Sequence, residues 1–340
     1  MAVKVQHKYV KKHSFVDIWT CDLLVRMVKV AFPQFSFMWL ANEMRINLPL
    51  ELDFTQEARN SEKVSRIFKD FSWLKVPSIF WDHTTSRVLV MEYCTGCHIN
   101  DVEALKQQKV DVYDVSNKIG QMYSRMIFDD GYVHCDPHPG NVLVNKQAGV
   151  TQIVLLDHGL YTQLSNKFRY DYADFWMAII NRDVDQIKAA ADKLGVGDLY
   201  GLFACMVTAR SWSSIQKGLD VAPRTKSESA EIKANVIKYF KEIADVLAFV
   251  NRQMILIFKT NDLLRGIESS LGTKNSMSSF IQMSRACFKV IQEKHLLGAT
   301  SSVSRWRINM WGRWAQFRIS CYEIFLYLYW SRFGSILRLR

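Results

Sequence analysis

Two short polar segments in a fixed order, with alternating apolar sequence between them, limit most strongly what this chain can fold into. His134-Cys135-Asp136-Pro137-His138-Pro139-Gly140-Asn141 is followed by an apolar strand, a turn, another strand and then Asp157-His158-Gly159. In this order Asp136 sits in a loop, Asn141 opens a strand and Asp157 closes the next one. Three oxygen-bearing side chains are then available to one hard cation and the phosphates it carries. Mg²⁺ suits such a set, because it takes a few oxygen ligands and completes its octahedron with water and phosphate oxygens. Taken singly, Asp-Pro and Pro-Gly are ordinary turn formers and Asp157 is an ordinary helix cap. Both motifs together, in order, are much harder to obtain by accident.

A second pair fits the same arrangement. Ala2 to Val5 alternates as a strand and carries Lys4, and a helix expected from about Pro49 to Phe71 carries Glu57. An ion pair between them leaves the lysine to hold α and β phosphates. Alone, the two are a solvated strand lysine and a surface helix acid. Between them a lysine-rich connection (Lys8, Lys11, Lys12) leads into a helix expected from about Ser14 to Val30. Strands are expected over Val76 to Trp81 and Arg87 to Tyr93, joined by the polar turn His83 to Ser86. Beyond Gly96 the pattern predicts a short helix near Val102, a longer one from about Val112 to Asp129, and strands over Asn141 to Val144 and Ile153 to Leu156. From Ser165 onward nearly everything reads as helix. Phe168, Tyr172, Phe175 and Trp176 recur at three- and four-residue spacing and are assigned to the core.

With 340 residues, 49% of them apolar and 23% charged, the chain has material for a sizeable core and lies outside the range of disordered sequences. The net charge is +11, but residues 301–340 hold seven arginines, no lysine, no aspartate and a single acid, Glu323. The positive charge is largely a tail feature, and no nucleic-acid recognition motif accompanies it, so nucleic acid is not expected as a partner. In that tail Trp306, Trp311, Trp314, Tyr322, Phe325, Tyr327, Tyr329 and Trp330 alternate with Arg305, Arg307, Arg313, Arg318 and Arg332. Either the tail is a final helix packed with its arginines in solvent, or it makes peripheral contact with a membrane without crossing it. No stretch reaches the ~20 apolar residues that span a bilayer. Seven scattered cysteines, an odd number, point to reduced thiols. Cys94-Thr95-Gly96-Cys97-His98 has the spacing of a haem attachment but follows the strand-like run Val88 to Tyr93, and is read as a strand end and a turn.

Val3-Lys4-Val5-Gln6, Glu51-Leu52-Asp53-Phe54-Thr55-Gln56-Glu57-Ala58-Arg59-Asn60, Val90-Met91-Glu92-Tyr93, the 134–141 loop and Leu156-Asp157-His158-Gly159 together resemble the UbiB or aarF-domain family of atypical kinase-like proteins. The resemblance covers roughly residues 1–200 and rests on five motifs in order. It implies an α+β, protein-kinase-like two-lobed fold. Residues 1–94 would form a small lobe and 95–340 a mostly helical large lobe, with the catalytic loop at 134–141, the Asp-His-Gly motif at 157–159 and the basic aromatic tail at 301–340. ATP and Mg²⁺ are the implied cofactors. Lys4 matches the phosphate-holding lysine, Glu57 its helix partner, and Glu51 and Asp53 the Glu-x-Asp motif. Asp136 matches the catalytic aspartate, Asn141 and Asp157 the metal ligands, and His134 and His138 belong to the loop motif. The family also carries a Lys-x-Gly-Gln extension and an alanine-rich nucleotide loop ahead of the strand lysine. Only three residues precede Lys4 here, so the small lobe is expected to be truncated, as in a fragment or an alternative-start product.

Departures from ordinary protein kinases narrow the chemistry. Cys135 replaces the arginine that pairs with a phosphorylated activation loop, so control of that kind is not expected. His138 stands where protein kinases usually carry lysine. Only Leu160 to Leu164 separate Gly159 from the next helical run, which leaves no platform for an extended peptide. The expected function is Mg-ATP binding with ATPase or small-molecule or lipid phosphotransfer chemistry, supporting mitochondrial organisation and lipid homeostasis, with a mitochondrial location. One alternative is the same chemistry in ubiquinone biosynthesis. Another is a catalytically silent pseudokinase scaffold, favoured by the missing nucleotide loop.

Overall fold

The structure, a computed structural model, describes residues 1–33, 38–136, 138–147, 149–217, 239, 242–243, 246–247, 250, 252–273 and 278–330, with side chains at 278–279 and 326–330 left out. Pro137 of the catalytic-loop motif, and Arg332 with the rest of the tail from 331 to 340, lie outside the described residues, as do the side chains of Tyr327, Tyr329 and Trp330. The chain is mostly helical with small sheets, and it divides into two compact units. One comprises Met1–Val110, His134–Thr162 and Val236–Val250; the other comprises Asp111–Val133, Gln163–Asn235 and Asn251–Arg340.

In the first unit, β1 (Ala2–Val5) pairs antiparallel with β3 (Val88–Met91), with Lys4 opposite Leu89. Strand alternation turns Lys4 inward and leaves Val3 and Val5 outward, at 59% and 66% exposed. The usual polarity of a half-buried strand is thus inverted, because the inward position is occupied by a charge that needs a buried partner. α1 (Val10–Ala31) and α2 (Met38–Glu51) follow and pack on each other. α3 (Phe54–Ile67) presents Phe54, Glu57, Ala58, Ser61 and Val64 on one buried face, at three- and four-residue steps. Phe54, Ala58 and Leu89 form a small apolar core with Ile79.

The helix expected from Pro49 to Phe71 corresponds to α3 alone, which starts later, at Phe54, and ends earlier, at Ile67. Pro49 lies in the last turn of α2, where its missing N–H weakens the ladder. Asp53 then starts α3 by accepting bonds from the Thr55 amide at 3.0 Å and hydroxyl at 2.6 Å. α2 itself has no counterpart in the sequence reading. The strand expected over Val76 to Trp81 is also corrected. β2 covers Leu74–Lys75, and beyond Pro77, which cannot donate, the chain follows β3 only through an isolated bridge between Ile79 and Met91 before a 3-10 turn at Trp81–His83.

β2, β4 (Cys97–His98), β6 (Val142–Gln147) and β7 (Val150–Leu155) form a four-stranded sheet in the order β2-β7-β6-β4, while β5 (Tyr132–His134) pairs with β8 (Tyr161–Gln163). Cys97 and His98, expected in a turn, are β4, and all seven cysteines are free thiols. Ahead of β6, α4 (Val102–Gln107) is capped by Asp101.

The second unit is helical. α5 (Val112–Ser124) gives way to a π-helical turn at Arg125–Asp130, shorter than the α-helix expected to Asp129. Gly131 closes that turn at φ +63°, where a Cβ would meet the Arg169 side chain at 2.9 Å. α6 (Asn166–Asn181), α7 (Val184–Lys193), α8 (Tyr200–Thr208), α9 (Trp212–Lys217), α10 (Arg252–Leu271), α11 (Ser278–Leu297) and α12 (Ser302–Trp330) complete it. Phe168, Tyr172, Phe175 and Trp176 of α6 are buried as expected. Their rings meet Phe128, Phe203 and Phe280 at centroid distances of 4.7 to 5.7 Å. Among the described residues, no helix is long and apolar enough to cross a membrane.

Candidate functional site

Lys4 is the centre of the site. Its Nζ donates to both oxygens of Glu57, at 2.8 and 2.9 Å, and lies 3.4 Å from Oδ2 of Asp157. The Phe54 ring, one helical turn before Glu57, lies 5.2 Å from the same ammonium. The Glu57 side chain is only 2% exposed, against 37% for Lys4 and 32% for Asp157. The lysine thus reaches from a buried carboxylate toward an accessible one. Burial pulls the Lys4 ammonium down, but Glu57 and Asp157 outweigh it and hold the group above the usual lysine range. For Glu57 burial prevails and raises the carboxyl despite Lys4. For Asp157 burial acts upward but is outweighed by Lys4 and the Gly159 N–H, so its carboxyl is held below the usual range. Asp157 is therefore kept as an anion.

The hairpin β6–β7 aligns the other groups. Val142 faces Leu155, and the Leu156 N–H donates to the Asn141 carbonyl at 2.9 Å, so Asn141 enters the hairpin one residue from where Asp157 leaves it. Oδ1 of Asp157 accepts the Gly159 N–H at 2.8 Å, a turn that fixes the carboxylate. His134, 1% exposed, links the loop to that turn. The Asp136 backbone N–H donates to His134 Nδ1 at 3.1 Å, which leaves the proton on Nε2 for donation to the Asp157 carbonyl at 3.0 Å. His138 is exposed, and its Nδ1 accepts the Gly140 N–H at 3.0 Å, a turn-forming role.

Not every expected site residue comes to this cluster. Glu51 is the exposed last residue of α2, and Asp53 caps α3. Asp53 thereby starts the helix that presents Glu57. Three further residues support the site. Asn60, three residues after Glu57, donates to the His158 carbonyl at 2.9 Å, and Gln6, two after Lys4, donates to the Leu52 carbonyl at 2.9 Å. His158 donates through Nε2 to the Leu155 carbonyl at 3.1 Å and accepts the Tyr161 hydroxyl at Nδ1, 2.9 Å away. Burial pulls its imidazole down to about 3, so it stays neutral. The signal for Asn60 was its spacing from Glu57 on one helix face. Nothing in the sequence distinguished the packing role of His158 from a chemical one.

Among the described residues no group of three or more His, Cys, Asp and Glu is placed to hold a metal. The donor set at the hairpin is instead one carboxylate and one carboxamide, Asp157 and Asn141. That set of hard oxygens fits a Mg²⁺ ion that takes its remaining ligands from water and phosphate.

A strand lysine clamped by a helix glutamate, facing an Asp-x-Gly turn at the end of a hairpin, defines a kinase-like domain. The chain belongs to the ABC1 atypical kinase-like family, whose domain model matches residues 1–191. It is 48% identical over 337 residues to AarF domain-containing protein kinase 1 of Gallus gallus, covering 98% of this chain and 65% of that protein. AarF domain-containing kinase 1 of Drosophila melanogaster is 47% identical over 341 residues, covering 99% and 65%. The chain thus spans about 65% of the length of these relatives. A solved complex of Rv3197 with erythromycin, from Mycobacterium tuberculosis, superposes with a TM-score of 0.56 at 15% identity, covering 83% of this chain and 71% of that one. At that identity the likeness is one of fold.

Proposed function

We propose that this chain is a two-lobed kinase-like protein that binds Mg-ATP and carries out ATP hydrolysis or phosphotransfer to a small or lipidic molecule. The observation that carries this reading is the Lys4 ammonium, bonded to buried Glu57 and 3.4 Å from Asp157. Lys4 holds phosphate oxygens, and Glu57 keeps it charged and aimed. Asn141 and Asp157 are the residues to hold Mg²⁺, which would neutralise charge on the phosphates. Asp136 orients the nucleophile or accepts its proton, and His134 positions the Asp136 backbone through the 3.1 Å bond. The short path from Gly159 to α6 supports a small acceptor over an extended peptide. A mitochondrial location and a role in mitochondrial organisation and lipid homeostasis follow from the family resemblance.

Thermal-shift titration of the chain with ATP, with and without Mg²⁺, tests the reading, followed by turnover of the same samples. Stabilisation by ATP is expected to require Mg²⁺ and to vanish in Asp157→Ala, while His138→Ala retains it. Equal stabilisation of the wild type and Asp157→Ala would sink the assignment. Turnover abolished in Asp157→Asn separates an enzyme from a silent scaffold.

A further inference from the structure

α12 has two opposite faces, and among the described residues it packs through one of them. On the first, Gly312 and Ala315 are buried, Trp311 meets Phe288 of α11 at 5.6 Å, and Arg285 of α11 reaches Ser320 at 3.1 Å and Glu323 at 2.7 Å. On the second, Val303, Trp306, Met310, Trp314, Phe317 and Ile324 follow one another at helical spacing, and all are exposed. Trp306, Trp314, Phe317 and Ile324 are 57 to 64% exposed, and the Trp314 and Phe317 rings stack on each other at 5.7 Å. Water therefore meets a continuous apolar stripe about 30 Å long, at 1.5 Å per residue, with its aromatic rings over the middle ~17 Å from Trp306 to Phe317.

Charge decides what fits that stripe. Arg307, Arg313 and Arg318 flank it and are exposed, while the one acid of the helix, Glu323, is tied to Arg285 on the packed face. The open face thus carries cations only. A second copy of this chain docked stripe to stripe would bring arginines against arginines with no acid to pair them. An anionic bilayer offers phosphates for the arginines and, just beneath, the interfacial region that indole and phenyl rings favour. α1 also exposes apolar residues, among them Phe15, Trp19 and Met27, but it carries Asp17 and Asp22 along with its lysines and presents no field of one sign.

We propose that the outer face of α12 is an interfacial helix that docks this chain in the plane of an anionic membrane, with the Trp306–Trp314–Phe317 stripe inserted and Arg307, Arg313 and Arg318 on lipid phosphates. The helix lies along the surface without crossing it, in keeping with its arginines and with the lack of a spanning helix among the described residues.

The test is co-sedimentation of the whole chain with vesicles of phosphatidylcholine alone or of an equimolar mixture with phosphatidylserine. Binding to the mixed vesicles is expected, weakening with salt and nearly absent on phosphatidylcholine. A Trp306→Ser, Trp314→Ser, Phe317→Ser triple variant should lose it. Each of Arg307→Gln, Arg313→Gln and Arg318→Gln should lower the partition about fivefold. A Phe15→Ser, Trp19→Ser variant of α1 should bind as the wild type does. All the altered side chains are exposed, and the arginine variants leave the stripe intact, so a folding failure of the triple variant does not remove the test. A wild-type chain that stays in the supernatant at low salt overturns the proposal. So does equal binding to both vesicle types, or loss of binding through α1 alone. Self-association that disappears in the triple variant, without lipid binding, assigns the face to a second copy instead.

Discussion

In the unit that holds residues 1–110, the most deeply placed charge is Glu57, and the strand beside it turns its lysine inward and its valines out. In the unit from 163 onward, the centre is a set of stacked and edge-on rings built on α6, and acids such as Asp174 sit nearer the surface, paired with Lys294 at 2.7 Å and Lys193 at 3.7 Å. The first unit relies on a few interactions, each strong only while both partners remain. The second relies on many weak and interchangeable ones. In the first unit the proposed site and the stability therefore rest on the same side chains, whereas the second can be altered without touching the Lys4–Glu57–Asp157 cluster.

The largest effect that tests this contrast comes from removing the lysine. Lys4→Met leaves the Glu57 carboxylate buried without its cation, and the first unit should lose about 3 to 5 kcal/mol. Hydrogen exchange resolves the units. Protection should fall across β1 and α3 and persist in α10 and α11. Adding Glu57→Gln to Lys4→Met should recover much of the protection, since a neutral amide is less costly to bury than an unpaired carboxylate. Uniform loss in both units would mean that they do not differ in the way described.

At neutral to mildly acidic pH, His158 gives a smaller, pH-dependent effect, since only the first unit or so below pH 6.5 is then sampled. Its folded value of about 3 lies below the ordinary 6.5, so between those limits the unfolded chain binds the extra proton. Stability from this group is fully present above pH ~6.5 and is lost as pH falls toward 3, at up to about 1.4 kcal/mol per pH unit. Glu57, raised by burial, acts in the opposite sense just above its ordinary value of 4.5, so the wild type alone does not isolate the effect. Unfolding followed against pH in EDTA should show a shallower slope for His158→Asn than for the wild type across this window. Identical slopes would remove His158 from the account.

Asn60 is next. Its amide is the buried donor to the His158 carbonyl at 2.9 Å, and Asn60→Ala should cost about 1 to 3 kcal/mol by leaving that carbonyl unsatisfied. Urea unfolding measures this, and a loss well under 1 kcal/mol would mean that another group replaces the amide.

Sequence legibility followed the same division. The polar site was readable because its chemistry demands particular residue types at fixed offsets. Lys4 was placed on a strand and Glu57 on a helix, as found, and the structure brings Glu57 and Asp157 each within hydrogen-bond reach of Lys4, with Asp157 in the turn after β7 rather than at the strand's end. The α6 aromatics were readable because helical periodicity repeats over several turns. What was missed depends on tertiary context or on local breaks. α2 was not read at all, and α3 was given too early a start, because Pro49 suits a first helical turn but belongs to the last turn of α2, and the cap at Asp53 is what starts α3. Cys97–His98 is a strand only because β6 lies beside it. His158 adjoins Asp157 in sequence, yet its neutral ring bonds to Leu155 and Tyr161 and serves packing.

The smallest expected effect lies in the second unit and sets the lower bound of the comparison. Arg285 pairs with Glu323 at 2.7 Å and reaches Ser320 at 3.1 Å, but both charged side chains keep contact with water, at 23% and 37% exposure. Such a pair is screened by solvent and returns little beyond the entropy of ordering two long side chains. Arg285→Ala should therefore cost no more than about 1 kcal/mol, and less as salt is added. Glu323→Gln should behave the same way, and a double-mutant cycle should give a small coupling. A coupling of several kcal/mol, comparable to the Lys4–Glu57 pair, would show that α12 is held to α11 by charge. α12 would then respond to pH and salt as the first unit does, and the contrast between the units would fail at that helix pair.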